Sequence, residues 1–372
     1  MRSKPPVDIR ALVGRLIARL RDSRPLRWLL DRFRGRPRVD ARDVPSADAH
    51  SRGTGDAVRE DGLAGALAEG RLSLAWSEAF ARSGRLRLAP WLPPHRPVLT
   101  LRASADPAPR RLLVWLHGCD QQPEPFASAT RVHRLVTGDD WLVVMPAQER
   151  LANPHRCWNW FDAATVEGDG EVAIVLAAID AAIATLPAPP AGVCIAGMSS
   201  GAALAAACVT AAPERFTAAA FHSGVAAGAA RGPLSARRVL GAGPDGDVTR
   251  LGARHAPRPV ASLTLHGRDD PVVAPAHARE LVRQMLALDG SLETGAPLPA
   301  AERTETSSIG GREMVLEHYG AHQLALIAGL GHAWSGGDER WPYNDAMGPD
   351  ATTMIGRFFD ARIRAAATEH TF

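Results

Sequence analysis

A chain of 372 residues with 46% hydrophobic and 22% charged residues can bury a substantial core plus an appendage and is too apolar to be disordered. Its longest apolar runs, such as Ala202 to Val209, fall well short of the roughly 20 residues that a membrane-spanning helix requires, which excludes a transmembrane reading. The net charge of +3 hides an asymmetry: residues 1–38 hold 12 Arg or Lys against 3 Asp, a local charge of +9, so the remainder carries −6.

In the first segment Ile9, Leu12, Val13, Leu16, Ile17 and Leu20 recur at steps of three and four, predicting a basic amphipathic helix within residues 1–38. Pro25 interrupts it, and Leu26, Trp28, Leu29, Leu30 and Phe33 continue an apolar surface among arginines. Such a helix suits an anionic membrane or a lipid-like surface, and equally a packing role on the rest of the chain or on a partner subunit. Arg10, Arg15 and Arg19 break what would be the apolar stretch of a secretory signal, so none is expected. Residues 39–75 lack sustained periodicity and carry turn formers such as Ser51-Arg52-Gly53-Thr54-Gly55, which reads as a flexible linker before a catalytic domain over 76–372.

Beyond the linker, short apolar runs alternate with helical stretches. Arg111 to Leu116, Trp141 to Met145, Gly192 to Ala196 and Ala261 to Leu265 read as buried strands, and Glu171 to Leu186 and Gly201 to Ala212 as helices. The alternation predicts an α/β fold with a mostly parallel central sheet and helices on both faces. Chemistry is then expected at the carboxyl ends of the strands.

Gly197-Met198-Ser199-Ser200-Gly201 follows one of these strands and opens an Ala-rich helix, the context of a nucleophile elbow. Glycines flanking Ser199 permit a cramped turn, and the helix start offers backbone N–H groups to developing negative charge. A serine hydroxyl needs a base held in one tautomer by an acid, and both are expected downstream in the order acid, then base. Asp270 in the 266–273 segment is the candidate acid, with Asp269 its rival; His332 in a glycine-rich loop is the candidate base. His222, His266, His277, His318 and His322 are the other histidines in play. The amides of Ser200 and of Cys119, the latter in the loop after the 111–116 strand, are the candidate oxyanion donors. No HExxH, Cys-rich or GxxxxGK[ST] pattern appears, so neither metal nor cofactor is expected. The basic segment carries no nucleic-acid recognition motif, and no nucleic-acid partner is expected.

HGCDQ at 117–121, RCWNWF at 156–161, GMSSG at 197–201, HSG at 222–224, HGRDDPVV at 266–273, GLGHAWSGG at 329–337 and PYNDAMGPDAT at 342–352 occur in this order. Together they resemble the polyhydroxybutyrate (PHB) depolymerase family of esterases, over roughly Pro90 to Ala365. The resemblance implies an α/β-hydrolase fold, a Ser199-Asp270-His332 triad and oxyanion donors at Cys119 and Ser200. It also implies that the Trp158-Asn159-Trp160 segment lies beside the substrate cleft, and Trp334 adjoins the candidate base; Trp158, Trp160 and Trp334 are therefore candidate substrate-binding residues, with core packing the alternative. Cys119 and Cys157 fall in co-occurring family motifs and are a candidate disulfide, whereas Cys194 and Cys208 read as small buried hydrophobes.

The implied activity is hydrolysis of short acyl or hydroxyalkanoate esters through an acyl-enzyme. A carbohydrate-ester esterase or a peptidase of the same fold is the alternative. The chain ends soon after the matched region, without a polymer-binding module, which points to soluble oligomers rather than crystalline polymer. The expected partner besides an ester or polyester is an anionic membrane or polyester-granule surface, met by residues 1–38. The lack of a signal favours the cytoplasm, whereas the resembled family is largely extracellular.

Overall fold

The computed structural model describes residues 62–80, 95–104, 109–138, 140–257 and 259–369. The basic helix expected within 1–38 and residues 39–61 of the expected linker lie outside the described residues. Among the described residues, ten strands form one sheet: β1 (Leu72–Phe80), β2 (His95–Ala103), β3 (Arg111–Leu116), β4 (Trp141–Pro146), β5 (Gly192–Met198), β6 (Ala218–His222), β7 (Ala261–Gly267), β8 (Arg303–Ile309), β9 (Arg312–Tyr319) and β10 (His322–Ile327). Their order is β1-β2-β4-β3-β5-β6-β7-β10-β9-β8. The central run from β4 through β10 is parallel, and β2 with β1 on one side and β9 with β8 on the other continue it antiparallel. The mostly parallel sheet expected from the sequence is the sheet observed.

Alternation along β3 shows how the sequence divides two cores. Leu112, Val114 and Leu116 face one layer, and Leu113 and Trp115 face the other. The first layer is closed by helices α3 (Gly170–Ile183) and α4 (Ser200–Ala211), the second by α2 (Pro123–Thr130), α6 (Ala351–Glu369) and the short α1 (Leu63–Ala68). A further helix, α5 (Ala276–Leu288), packs on the β7 and β10 side. α4 is buried on every side from Ser200 to Thr210, and its alanines let it lie close to the strands. Cys194 and Cys208 are buried and free, one in each layer.

One departure from the sequence reading appears here. Residues 63–80, much of which falls in the expected linker, form α1 and β1: Leu63, Ala66 and Leu72 are buried against the second layer, and β1 pairs with β2 along its full length. A few well-spaced apolar residues suffice to anchor a segment when a sheet edge is available to complete its hydrogen bonds. Among the described residues, no helix is long and apolar enough to cross a membrane.

Candidate active site

β5 ends at Met198 and α4 begins at Ser200, leaving Ser199 alone in the turn with φ 54° and ψ −119°. Positive φ is costly for a residue with a Cβ, and the surroundings hold it there. The Ser199 N–H donates to the His222 carbonyl at 2.9 Å. Glycine is obligatory on both sides: a Cβ on Gly197 would lie 2.4 Å from the Gly201 carbonyl carbon, and one on Gly201 would lie 2.3 Å from the Leu116 carbonyl oxygen. The turn thus presses α4 against the end of β3, and the serine hydroxyl points out at the carboxyl edge of the sheet.

His332, five residues past the end of β10, meets that hydroxyl with Nε2 at 3.0 Å from Ser199 Oγ. Its Nδ1 lies 2.8 Å from Asp270 Oδ2, and the other Asp270 oxygen accepts the Val272 and Val273 N–H groups at 2.8 and 2.9 Å. Burial pushes the Asp270 pKa up, but hydrogen bonding and charge at His332, with the Val273 N–H, outweigh it and hold the carboxyl below its ordinary value. Asp269 is exposed and accepts the Gly329 N–H at 2.8 Å, so it braces the loop that carries His332 from outside and does not touch the imidazole.

The remaining histidines have other partners. His266 lies with Nε2 2.9 Å from the Val273 carbonyl oxygen and 3.6 Å from Asp270 Oδ2. His277 binds the Val239 carbonyl, His318 contacts Glu305, and His322 bridges Ser262 and Asp289. His222 stacks on Trp334 at 4.8 Å between ring centroids and accepts the Ser335 N–H on Nε2, and burial drives its pKa down to about 3.

The Cys119 loop crosses beside Ser200, whose hydroxyl lies 3.5 Å from Cys119 Sγ. Among the described residues, neither the Cys119 nor the Ser200 backbone N–H has a protein acceptor, which leaves both available to an oxyanion. The loop is fixed from several directions. Gly118 N–H donates to Gln121 Oε1 at 2.8 Å, Asp120 N–H to the His155 carbonyl at 2.6 Å, and Cys119 is joined to Cys157 by a disulfide. Below it, His117 Nε2 accepts the Gln148 N–H at 3.1 Å, and burial drives the imidazole down to about 4.

The structure also exposes a network that no local pattern announced. The buried Glu171 accepts from the Gln148 side chain and from both the backbone and the side chain of Asn159, with Arg96 at 3.8 Å; Gln148 further donates to the Cys157 carbonyl. Burial pushes the Glu171 carboxyl up, against the pull of Arg96 and these hydrogen bonds. Arg96 and Gln148 are 52 residues apart in sequence, and Arg96 and Glu171 farther still, which is why spacing gave no sign of them.

The three tryptophans expected at the substrate cleft are instead buried: Trp158 and Trp334 have no exposed surface and Trp160 has 5%. The Trp158 indole N–H donates to the His117 carbonyl, and the Trp334 indole N–H to Thr352 Oγ1 while its ring packs on Trp115 and Phe126. With the indole N–H groups of Trp158 and Trp334 satisfied inside the protein, these two rings back the site's loops, and Trp160 packs against Phe161. Among the described residues, no group of three or more His, Cys, Asp and Glu side chains is placed to hold a metal ion.

The family model described as esterase PHB depolymerase matches residues 98–308. Poly(3-hydroxyalkanoate) depolymerase C of Paucimonas lemoignei is 30% identical over 200 residues, 51% of this chain and 48% of that protein, so the chain spans about half the length of this curated relative. An acetyl xylan esterase from Aspergillus awamori superposes with a TM-score of 0.55 at 19% identity, over 70% of this chain and 94% of that one, a likeness of fold.

Proposed function

Since this chain belongs to the PHB depolymerase family of esterases and is a carboxylic ester hydrolase, we propose that it cleaves short acyl and hydroxyalkanoate esters through an acyl-enzyme on Ser199. The observation that carries the reading is the continuous contact from Asp270 through His332 to Ser199, with two backbone N–H groups unpaired beside it.

In this mechanism His332 Nε2 takes the Ser199 proton as Oγ attacks the ester carbonyl carbon. The carbonyl oxygen becomes an oxyanion held by the Cys119 and Ser200 N–H groups. Collapse breaks the bond to the alcohol oxygen, which leaves with the proton from His332, and the acyl group stays on Ser199. Water, deprotonated by His332, then attacks the acyl carbon and releases the carboxylic acid with Ser199 restored. Asp270 keeps the Nδ1 proton facing itself and stabilises the imidazolium formed in both halves.

A panel of p-nitrophenyl esters of increasing chain length, hydroxybutyrate oligomers and the matching amides tests the substrate class. Turnover of short esters and oligomers, with amides untouched, is the expected result. Preference for amides would overturn the reading in favour of a peptidase. The proposal includes attachment of the enzyme to an anionic membrane or polyester granule through residues 1–38, supported by their charge of +9 and their apolar spacing. Salt-sensitive co-sedimentation with anionic liposomes or granules should be lost on deleting 1–38; undiminished sedimentation would exclude it.

A further inference from the structure

At the carboxyl edge of the sheet a groove of about 310 Å³ runs beside the oxyanion loop, with Trp76, Gln122, Glu149, Arg150, Leu151 and Arg156 in its wall. Its position follows from the topology. Gln122 follows β3, Glu149 to Leu151 follow β4, and Ser199 follows β5 on the same edge. β4 and β5 flank β3, so their ends are separated by two strand spacings, roughly 10 Å. Arg156 immediately precedes Cys157, whose Cα is 4.1 Å from that of Cys119. The Arg156 backbone is therefore within about 8 Å of the proposed oxyanion donor.

The charges in this groove are unbalanced. Arg150 and Arg156 repel one another, and burial together with the Arg150 charge lowers the basicity of Arg156 against the opposing field of Asp120. Asp120 itself is engaged by His155 at 3.4 Å. Among the described residues, neither Arg150 nor Arg156 has a carboxylate within ion-pair distance, although Glu149 lines the same wall. Beside these cations stand two apolar side chains left to solvent, Trp76 at 52% and Leu151 at 80% exposure. A folded chain gains nothing from holding two like charges together next to exposed apolar surface. A ligand that is apolar along its length and anionic at its end would gain from both.

Resting on the ester hydrolysis proposed above, we infer that this groove binds the free carboxylate end of a hydroxyalkanoate oligomer on the leaving-alcohol side of the scissile ester, through Arg150 and Arg156. The polarity of such an oligomer fits. The acyl half transferred to Ser199 carries the hydroxyl terminus, and the departing alcohol is a hydroxy acid whose far end is the carboxylate. Arginine forks pair with carboxylates in a bidentate manner, and Trp76 and Leu151 cover the alkyl part of the departing unit. The enzyme thus favours short oligomers with a free acid terminus over capped esters of the same length.

The test compares a 3-hydroxybutyrate trimer as the free acid with its methyl ester, using the full chain at low and high salt. The wild type should show kcat/KM about tenfold higher for the acid at low salt, the scale of one charged hydrogen-bonded pair. The preference should shrink as salt screens it. In Arg150→Gln/Arg156→Gln the acid-to-ester ratio should fall to near one, and Arg150→Lys/Arg156→Lys should keep part of it. Because the readout is a ratio within one preparation, partial misfolding cannot mimic it. Equal wild-type rates on acid and methyl ester, or a ratio unchanged in the double Gln variant, would overturn the inference. Turnover of p-nitrophenyl butyrate by the wild type and its loss in Ser199→Ala tests the underlying mechanism separately, so the two failures are told apart.

Discussion

Asp270 holds His332 with one carboxylate oxygen, at 2.8 Å from Nδ1, and spends the other on two backbone N–H groups of its own loop. The proposed acid is thereby fixed in orientation toward the proposed base by both of its oxygens. Asp269, its neighbour, faces the opposite side and ties down Gly329.

That division predicts unequal phenotypes. Asp270→Asn should lower kcat by up to about 10⁴, because an amide facing Nδ1 favours the wrong imidazole tautomer. Asp269→Asn should cost far less, since it removes only an exposed brace. Steady-state kinetics on p-nitrophenyl butyrate check this, and exchanged phenotypes would move the acid by one residue.

Within the elbow, backbone and side chain are separable. Gly201→Ala places a methyl 2.3 Å from the Leu116 carbonyl oxygen, a backbone atom that cannot swing aside, and should destabilise the fold by about 1–3 kcal/mol or more while displacing Ser199. Ser200→Ala keeps the amide and removes only a hydroxyl beside Cys119, and should cost about 1 kcal/mol or less with activity retained. Urea unfolding alongside kinetics reads both.

The burial of Trp334 reassigns its role. Trp334→Ala should cost about 3–5 kcal/mol of stability, through a cavity among Trp115, Phe126 and His222, with chain-length preference unchanged. A stable variant with altered ester selectivity would return Trp334 to the substrate pocket.

Stability should fall in mild acid. His117 and His222 have folded-state pKa values of about 4 and about 3 against 6.5 for the free side chain, because burial disfavours their charged forms. The unfolded chain therefore binds more protons than the folded one once the pH drops below 6.5. Stability declines from there through about 4 for His117 and about 3 for His222. The depressed Asp270 acts in the same direction at lower pH, its contribution being lost as the pH falls below 3.8 and through its folded value. Urea midpoints at pH 7, 6, 5 and 4 check this, and His117→Gln should flatten the slope between 6.5 and 4.

The sequence disclosed most where chemistry is local. Ser199 was legible because its flanking glycines answer a steric demand of a single turn, and Asp270 and His332 because each sits in a loop just past an apolar strand. β3, β4, β5 and β7 showed as apolar runs since both their faces are buried. β1 and β8 did not: half of β1 faces solvent, and β8, Arg-Thr-Glu-Thr-Ser-Ser-Ile, is almost wholly exposed, so neither has a hydrophobic signature. The tryptophans misled because an indole beside a catalytic loop looks the same in sequence whether it walls a pocket or backs it. Arg96, Gln148 and Glu171 meet only through the sheet, and spacing carries no trace of such a contact.

The most direct test of the account is covalent labelling with a serine-reactive alkyl phosphonate, followed by mass spectrometry of the intact and digested protein. A single adduct on Ser199, with labelling and ester hydrolysis both lost in Ser199→Ala, is the predicted result. Modification of a different residue, or near-wild-type hydrolysis by Ser199→Ala, would contradict it.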